Sequence, residues 1–206
     1  MEKLTILLII IVILCVINKL FHNSYFQELN PIGSHKIWMY CPINGSYFEK
    51  LMKKHLSMNV NGLINDLIIL TSDNISQYIS NFPINMNDES IPLEKRINLL
   101  YSFILYEYGG LCISPGTIPI SINSILNRVY IYELVTVGGN PQYSQLVDNN
   151  EYPNTKILGS KKESEYINIY KNKLLENIGN NQLKSYDILS EIIREYKPKQ
   201  YHFSSL

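Results

Sequence analysis

The chain has 206 residues, a formal net charge of +0, and 46% hydrophobic against 17% charged residues. That apolar content supplies one core, and a neutral balance with a pI near 6.9 lacks the basic footprint of a nucleic-acid binder, so no nucleic-acid partner is expected. Alanine is absent while tyrosine counts 16, a usage that reflects AT-rich coding and says nothing of chemistry.

From Leu4 to Ile17 every residue except Thr5 is apolar, and Leu20-Phe21 extend the run past Asn18-Lys19. The stretch of about 18 residues is near the lower limit for crossing a hydrocarbon core. Residues 1–21 are therefore expected to form a membrane anchor; the alternatives are a cleaved signal peptide, which lacks a small-x-small cleavage site here, and a buried core helix. Charged flanks are nearly balanced, with Glu2 and Lys3 before the run and Lys19 and His22 after it. The expectation is a single-pass protein whose domain is lumenal (type II), in the secretory pathway or a viral or host membrane. Asn44-Gly45-Ser46 and Asn74-Ile75-Ser76 would then be acceptors for N-glycosylation, although a chain so rich in Asn also produces such matches by chance.

Residues 22–34 read as a short stalk and 35–206 as one domain. Lys36 to Cys41 is an apolar run stopped by Pro42, a buried-strand pattern. Ser46 to His55 has helical spacing, with Phe48, Leu51, Met52 and His55 on one face. Leu67-Ile68-Ile69-Leu70 is a second strand, and Thr71-Ser72-Asp73-Asn74 offers N-caps for a helix through Ile75, Tyr78 and Ile79. Residues 93–108 carry the most regular stripe, from Leu93 and Ile97 through Leu100 to Ile104 and Leu105, and Gly109-Gly110 closes that helix. Leu111-Cys112-Ile113 is a third strand, broken by Ser114-Pro115-Gly116. A fourth strand is expected over 130–137, helices over 163–175 and 186–196, and a tail at 201–206. Strands alternating with helices predict an α/β layered fold with a mostly parallel sheet.

Leu105-Tyr106-Glu107-Tyr108-Gly109-Gly110-Leu111-Cys112-Ile113 resembles the core of the DXD-motif sugar-transferase family, whose pattern is roughly S-D-x-x-R-x-x-x-L-Y-x-Y-G-G-x-Y-x-D-x-D. Lys36-Ile37-Trp38 is similar to that family's opening strand, Leu67 to Ile79 to its second strand and following helix start, and Tyr201-His202-Phe203 with Ser205 to its terminal motif. The resemblance implies a GT-A fold: a Rossmann-like domain that binds a nucleotide sugar at the carboxyl ends of its strands and passes the sugar to a glycan acceptor. It also implies Mn²⁺ or Mg²⁺ held by the two aspartates, because the developing charge on a nucleoside diphosphate needs a cation or a set of donors.

The chain departs from the family where charge is required. The two aspartates fall on Ser114 and Gly116, the upstream S-D on Ile97-Asn98, and the arginine on Tyr101. Donor-binding candidates implied by the resemblance are Trp38, Asp73, Asn98, Gly109, Gly110, Ser114 and Gly116, with His202 as a metal ligand if a metal binds. Each has a plainer reading: Trp38 as core, Asp73 as an N-cap, Gly109-Gly110 as a helix C-cap, Ser114-Pro115-Gly116 as a turn, His202 as a tail residue. Cys41 and Cys112 end neighbouring strands and read as two buried thiols or a strained disulfide. Other catalytic signatures (G-x-S-x-G, a P-loop, H-E-x-x-H, CxxC) are absent from the sequence. The expected function is a membrane-anchored glycosyltransferase-like protein whose metal motif is lost, or else a non-catalytic tethered scaffold that binds a glycan or a partner protein.

Overall fold

A computed structural model describes residues 36–42, 47, 50, 51, 54, 67–117, 122–129, 132–138, 153–196 and 200–203. The anchor (1–21), the stalk (22–34) and most of the helix expected over 46–55 lie outside these residues. Among the described residues no helix is long and apolar enough to cross a membrane.

The strands are β1 (Ile37–Tyr40), β2 (Leu67–Leu70), β3 (Gly110–Ile113), β4 (Leu134–Gly138), β5 (Pro153–Ser160) and β6 (Gln200–Phe203). The helices are α1 (Ile75–Tyr78), α2 (Leu93–Tyr108), α3 (Ile122–Val129), α4 (Glu165–Glu176) and α5 (Ser185–Tyr196). The strands form one open sheet in the order β2-β1-β3-β5-β4-β6. Pairing is parallel for β1 with β2, β1 with β3 and β4 with β6; it is antiparallel wherever β5 takes part. Thus β5 alone runs against the rest, and the fold is mixed α/β with a mostly parallel sheet.

Two-sided burial explains why the central strands are uninterrupted apolar runs. Trp38, Tyr40 and Cys112 point into the larger core under α2, α4 and α5, while Ile37, Met39, Leu111 and Ile113 point into the smaller core under α3. Successive side chains thus serve opposite faces, the period of an extended chain. The α2 stripe enters the larger core through Ile97, Leu100, Ile104 and Leu105; Leu93, at its first position, stays 41% exposed.

The first turn of α2 also fastens its surroundings. Lys95 is buried and its Nζ donates to the carbonyls of Asn177, at the end of α4, and Asn180, while burial lowers its pKa. The Arg96 Nη1 donates to the Met86 carbonyl and so holds the loop between α1 and α2. Each cation satisfies main-chain carbonyls left over at a helix end or in a loop.

Two elements differ from the sequence expectation. The segment before β4 is helix α3, with Ile122, Ile125, Leu126 and Val129 buried on one face, and the strand begins only at Leu134. The strand β5 was not expected: it opens on Pro153, contains Asn154 and Gly159, and its pairing with β4 shifts register at Thr136/Val137. Pro, Asn and Gly are depleted from strands, and an irregular register hides alternation. The tail contributes a further strand, β6, beside β4.

Candidate functional site

In an open parallel sheet, ligands bind beyond the carboxyl ends of the strands where the strand order reverses. Here that reversal falls between β1 and β3, since β1 pairs with β2 on one side and β3 on the other. Three segments meet this edge: Cys41 after β1, Thr71–Asn74 after β2, and Ser114–Thr117 after β3. Because β5 is antiparallel, its first residues, not its last, reach the same edge.

The seam between β1 and β3 is closed by Tyr101 of α2. Its hydroxyl accepts the Tyr40 N–H at 2.9 Å and donates to the Ile113 carbonyl at 2.6 Å, just beyond the Met39↔Ile113 pair. A fully buried phenol has no water to solvate its anion, so burial raises its pKa and the proton stays in place to donate. Tyr101 is thus a neutral staple between two strands.

After β3 the chain makes a β-turn: Thr117 N–H donates to the Ser114 carbonyl at 3.1 Å, and Gly116 takes φ 78° at the position where a type II turn needs it. The turn is pinned to β5 by Ser114 N–H donating to the Lys156 carbonyl at 2.7 Å. Across the seam, the Tyr40 hydroxyl lies 3.1 Å from Ser72 Oγ, which donates to Asn87 Oδ1 at 3.3 Å. Beside Ser72 and Asp73 an open groove of about 270 Å³ runs between α1 and the 79–87 loop, with Ile75, Ile79 and Met86 in its floor.

Ser114, Gly116 and Asp73 therefore lie at the carboxyl edge of the sheet. Asp73 is exposed in the turn after β2; the N-cap is its neighbour Asn74, so the capping role expected of Asp73 is corrected. Asn74 itself reaches backward: its Oδ1 accepts the Thr71 N–H at 2.8 Å and its Nδ2 donates to the Ile69 carbonyl at 2.9 Å. That amide nitrogen, the atom a glycan would occupy, is engaged in the fold. Replacing Asn74 with Ala is expected to destabilise the protein by about 1–2 kcal/mol, read by urea denaturation, because both main-chain partners lose their bonds.

Trp38, Gly109 and Gly110 are not at this edge. Gly109 and Gly110 sit at the amino end of β3, and Trp38 of β1 reaches toward them: its indole N–H donates to the Gly109 carbonyl at 2.9 Å and its ring packs on Tyr78 and Tyr108. A side chain on Gly109 would meet the Lys162 nitrogen at 2.6 Å, and one on Gly110 the Lys36 carbonyl at 2.3 Å. Main chain occupies the space a side chain would need at either glycine, so Gly109 and Gly110 hold framework positions. Asn98 is also inward: it is buried in α2, its Nδ2 3.3 Å from Thr155 Oγ1 and 3.4 Å from Glu94 Oε1.

His202 lies in β6, paired in register with Thr136; its side chain is outside the described set, as is Asn44. Cys41 and Cys112 are both buried and form no disulfide, Cys112 being paired in register with Trp38. Among the described residues no group of three His, Cys, Asp or Glu side chains is placed to hold a metal ion. The turn after β3 offers only hydroxyl, imide and glycine chemistry, so these residues do not fit the Mn²⁺ or Mg²⁺ centre that the resemblance implies.

Sequence reasoning passed over Lys156 and the stapling role of Tyr101. Both depend on strand order, which a lone sequence conceals. Comparison with protein-family models, curated proteins and solved structures finds no match to this chain.

Proposed function

We propose that residues 35–206 are a GT-A-like domain, tethered by the apolar segment 1–21, that binds a nucleotide sugar at the carboxyl edge of its sheet without a divalent ion. The observation that carries this reading is the switch point between β1 and β3, which gathers the turns Thr71–Asn74 and Ser114–Thr117 at one edge. The L-Y-x-Y-G-G resemblance supplies the ligand class. Its elements fall in the positions that such a fold needs: Leu105 and the Gly-Gly pair end α2 and start β3, and the degenerate metal motif falls on the turn that follows.

The donors available in the turns of this edge are polar and uncharged: the hydroxyls of Ser72, Ser114 and Thr117, the Asn87 amide, and main-chain groups; the exposed Asp73 adds a carboxylate beside them. Such donors orient a sugar and a diphosphate, and they leave the leaving-group charge poorly stabilised by comparison with a bound metal ion. Donor binding is accordingly the central activity, with sugar transfer to a glycan acceptor slow. A second reading, a tethered scaffold that binds a glycan or partner protein, is favoured by Tyr101, which the resemblance aligns with an arginine and whose hydroxyl is committed to two strands.

Titration calorimetry of the full-length chain with UDP- and GDP-sugars tests the proposal. Binding near micromolar strength, about −8 kcal/mol, unchanged by Mn²⁺, is the expected result. No heat with any donor from a folded sample would leave the scaffold reading in its place.

A further inference from the structure

A nucleoside diphosphate carries several negative charges, and the turn that faces it here carries none of either sign. The hydrogen-bond ladder joins that turn to one cation, Lys156. Its main chain is fixed twice: the carbonyl accepts the Ser114 N–H at 2.7 Å and the N–H donates to Asn154 Oδ1 at 2.8 Å. Its side chain is exposed, whereas its neighbours Thr155 and Ile157 are buried.

The position follows from the single reversed strand. Had β5 run parallel to β3, its early residues would lie at the opposite edge; running antiparallel, it brings Lys156 beside the end of β3. Adjacent strands are about 4.8 Å apart, well within the span of a four-carbon lysine stem. Space is available for an anion as well, since beyond the adjoining residues of the turn no atom lies within 4 Å of where a Gly116 side chain would start.

We propose that Lys156 is the cation of this site: its ammonium, with the Ser114 and Thr117 hydroxyls and the open face of Gly116, binds the diphosphate in place of a divalent ion. The inference rests on reading the carboxyl edge as a donor site. A mobile ammonium offers less directional hold than a chelated metal, but it needs no carboxylate pair. The arrangement reconciles the loss of both aspartates with a retained fold.

The test compares binding of UDP, GDP and inorganic pyrophosphate to the full-length wild type, to Lys156→Gln, and to Lys161→Gln as a control. Lys161 follows the far end of β5, where it pairs with Glu133 at 3.4 Å. The expected result is equal wild-type affinity with EDTA or with Mn²⁺, a loss of about tenfold or more in Lys156→Gln, and no change in the control, as for removal of a charge-assisted hydrogen bond. Lys156 is exposed, so its variant keeps the fold, which circular dichroism checks. Wild-type affinity in Lys156→Gln overturns the assignment and leaves the donor site standing. Binding that requires Mn²⁺ overturns it too. Absence of any wild-type binding removes the donor site and Lys156's role together.

Discussion

Gly110→Ala is expected to lower stability by about 3–5 kcal/mol, which for a domain of this size lowers the melting temperature by roughly 10 °C. Two effects add. Gly110 has φ 101°, a conformation that side-chain-bearing residues rarely adopt, and the new Cβ would sit 2.3 Å from the Lys36 carbonyl oxygen. That oxygen accepts the Leu111 N–H at 2.9 Å, the bond that starts the pairing of β1 with β3. Relief of the clash must move one central strand from the other. Gly116→Ala is the internal comparison: its φ is 78°, but nothing lies within 4 Å of the added carbon. Only backbone strain remains there, about 1 kcal/mol. Thermal denaturation of the two variants checks the account, and equal losses would contradict it.

Tyr101→Phe is the second large effect, about 2–5 kcal/mol. The substitution keeps the ring, which is fully buried, and removes an oxygen that serves two strands. The Tyr40 N–H and the Ile113 carbonyl are left in the interior without partners, at about 1–3 kcal/mol each. Urea denaturation is expected to show a lower midpoint with an unchanged slope, since the surface exposed on unfolding is the same. Native-state amide exchange gives a local readout: Tyr40 loses protection, while Trp38, deeper in the pairing, keeps most of its own. A purely packing role for Tyr101 would leave Tyr40 exchange unaltered.

How much of this was legible in the sequence depends on what each element had to satisfy. Strands covered on both faces declare themselves as short apolar runs, and β1, β2 and β3 were read within one residue of their bounds. Helix α2 has its whole stripe in sequence and a glycine stop at Gly109. Helix α3 has as clear a stripe, Ile122-Ile125-Leu126-Val129, but its eight residues include Asn123, Ser124 and Asn127, and no helix was assigned there. Strand β5 was hidden by its own Pro, Asn and Gly.

The site was harder to read, because it is a property of strand order. Gly109 and Gly110 carry two readings in sequence, a helix C-cap and a close approach to a diphosphate, and the orientation of β3 puts them at its amino end. The turn Ser114-Pro115-Gly116 was placed correctly, but the chemistry beside it was not. Lys156 lies 40 positions beyond Gly116, in a segment to which the sequence analysis assigns no element. Only the antiparallel pairing of β5 with β3 brings the two together. Asn74, seen as a glycan acceptor, turned out to cap the preceding strand with both ends of its amide.

The central claim is that a nucleotide sugar binds at the carboxyl edge of this sheet. Hydrogen–deuterium exchange of the full-length chain, with and without saturating UDP- and GDP-sugars, tests it most directly. The account predicts slowed exchange in the segments 71–74, 112–117 and 154–157, with 108–111 unchanged at the opposite edge. Protection centred on Gly109-Gly110, or no protection anywhere from a well-folded protein, would contradict it.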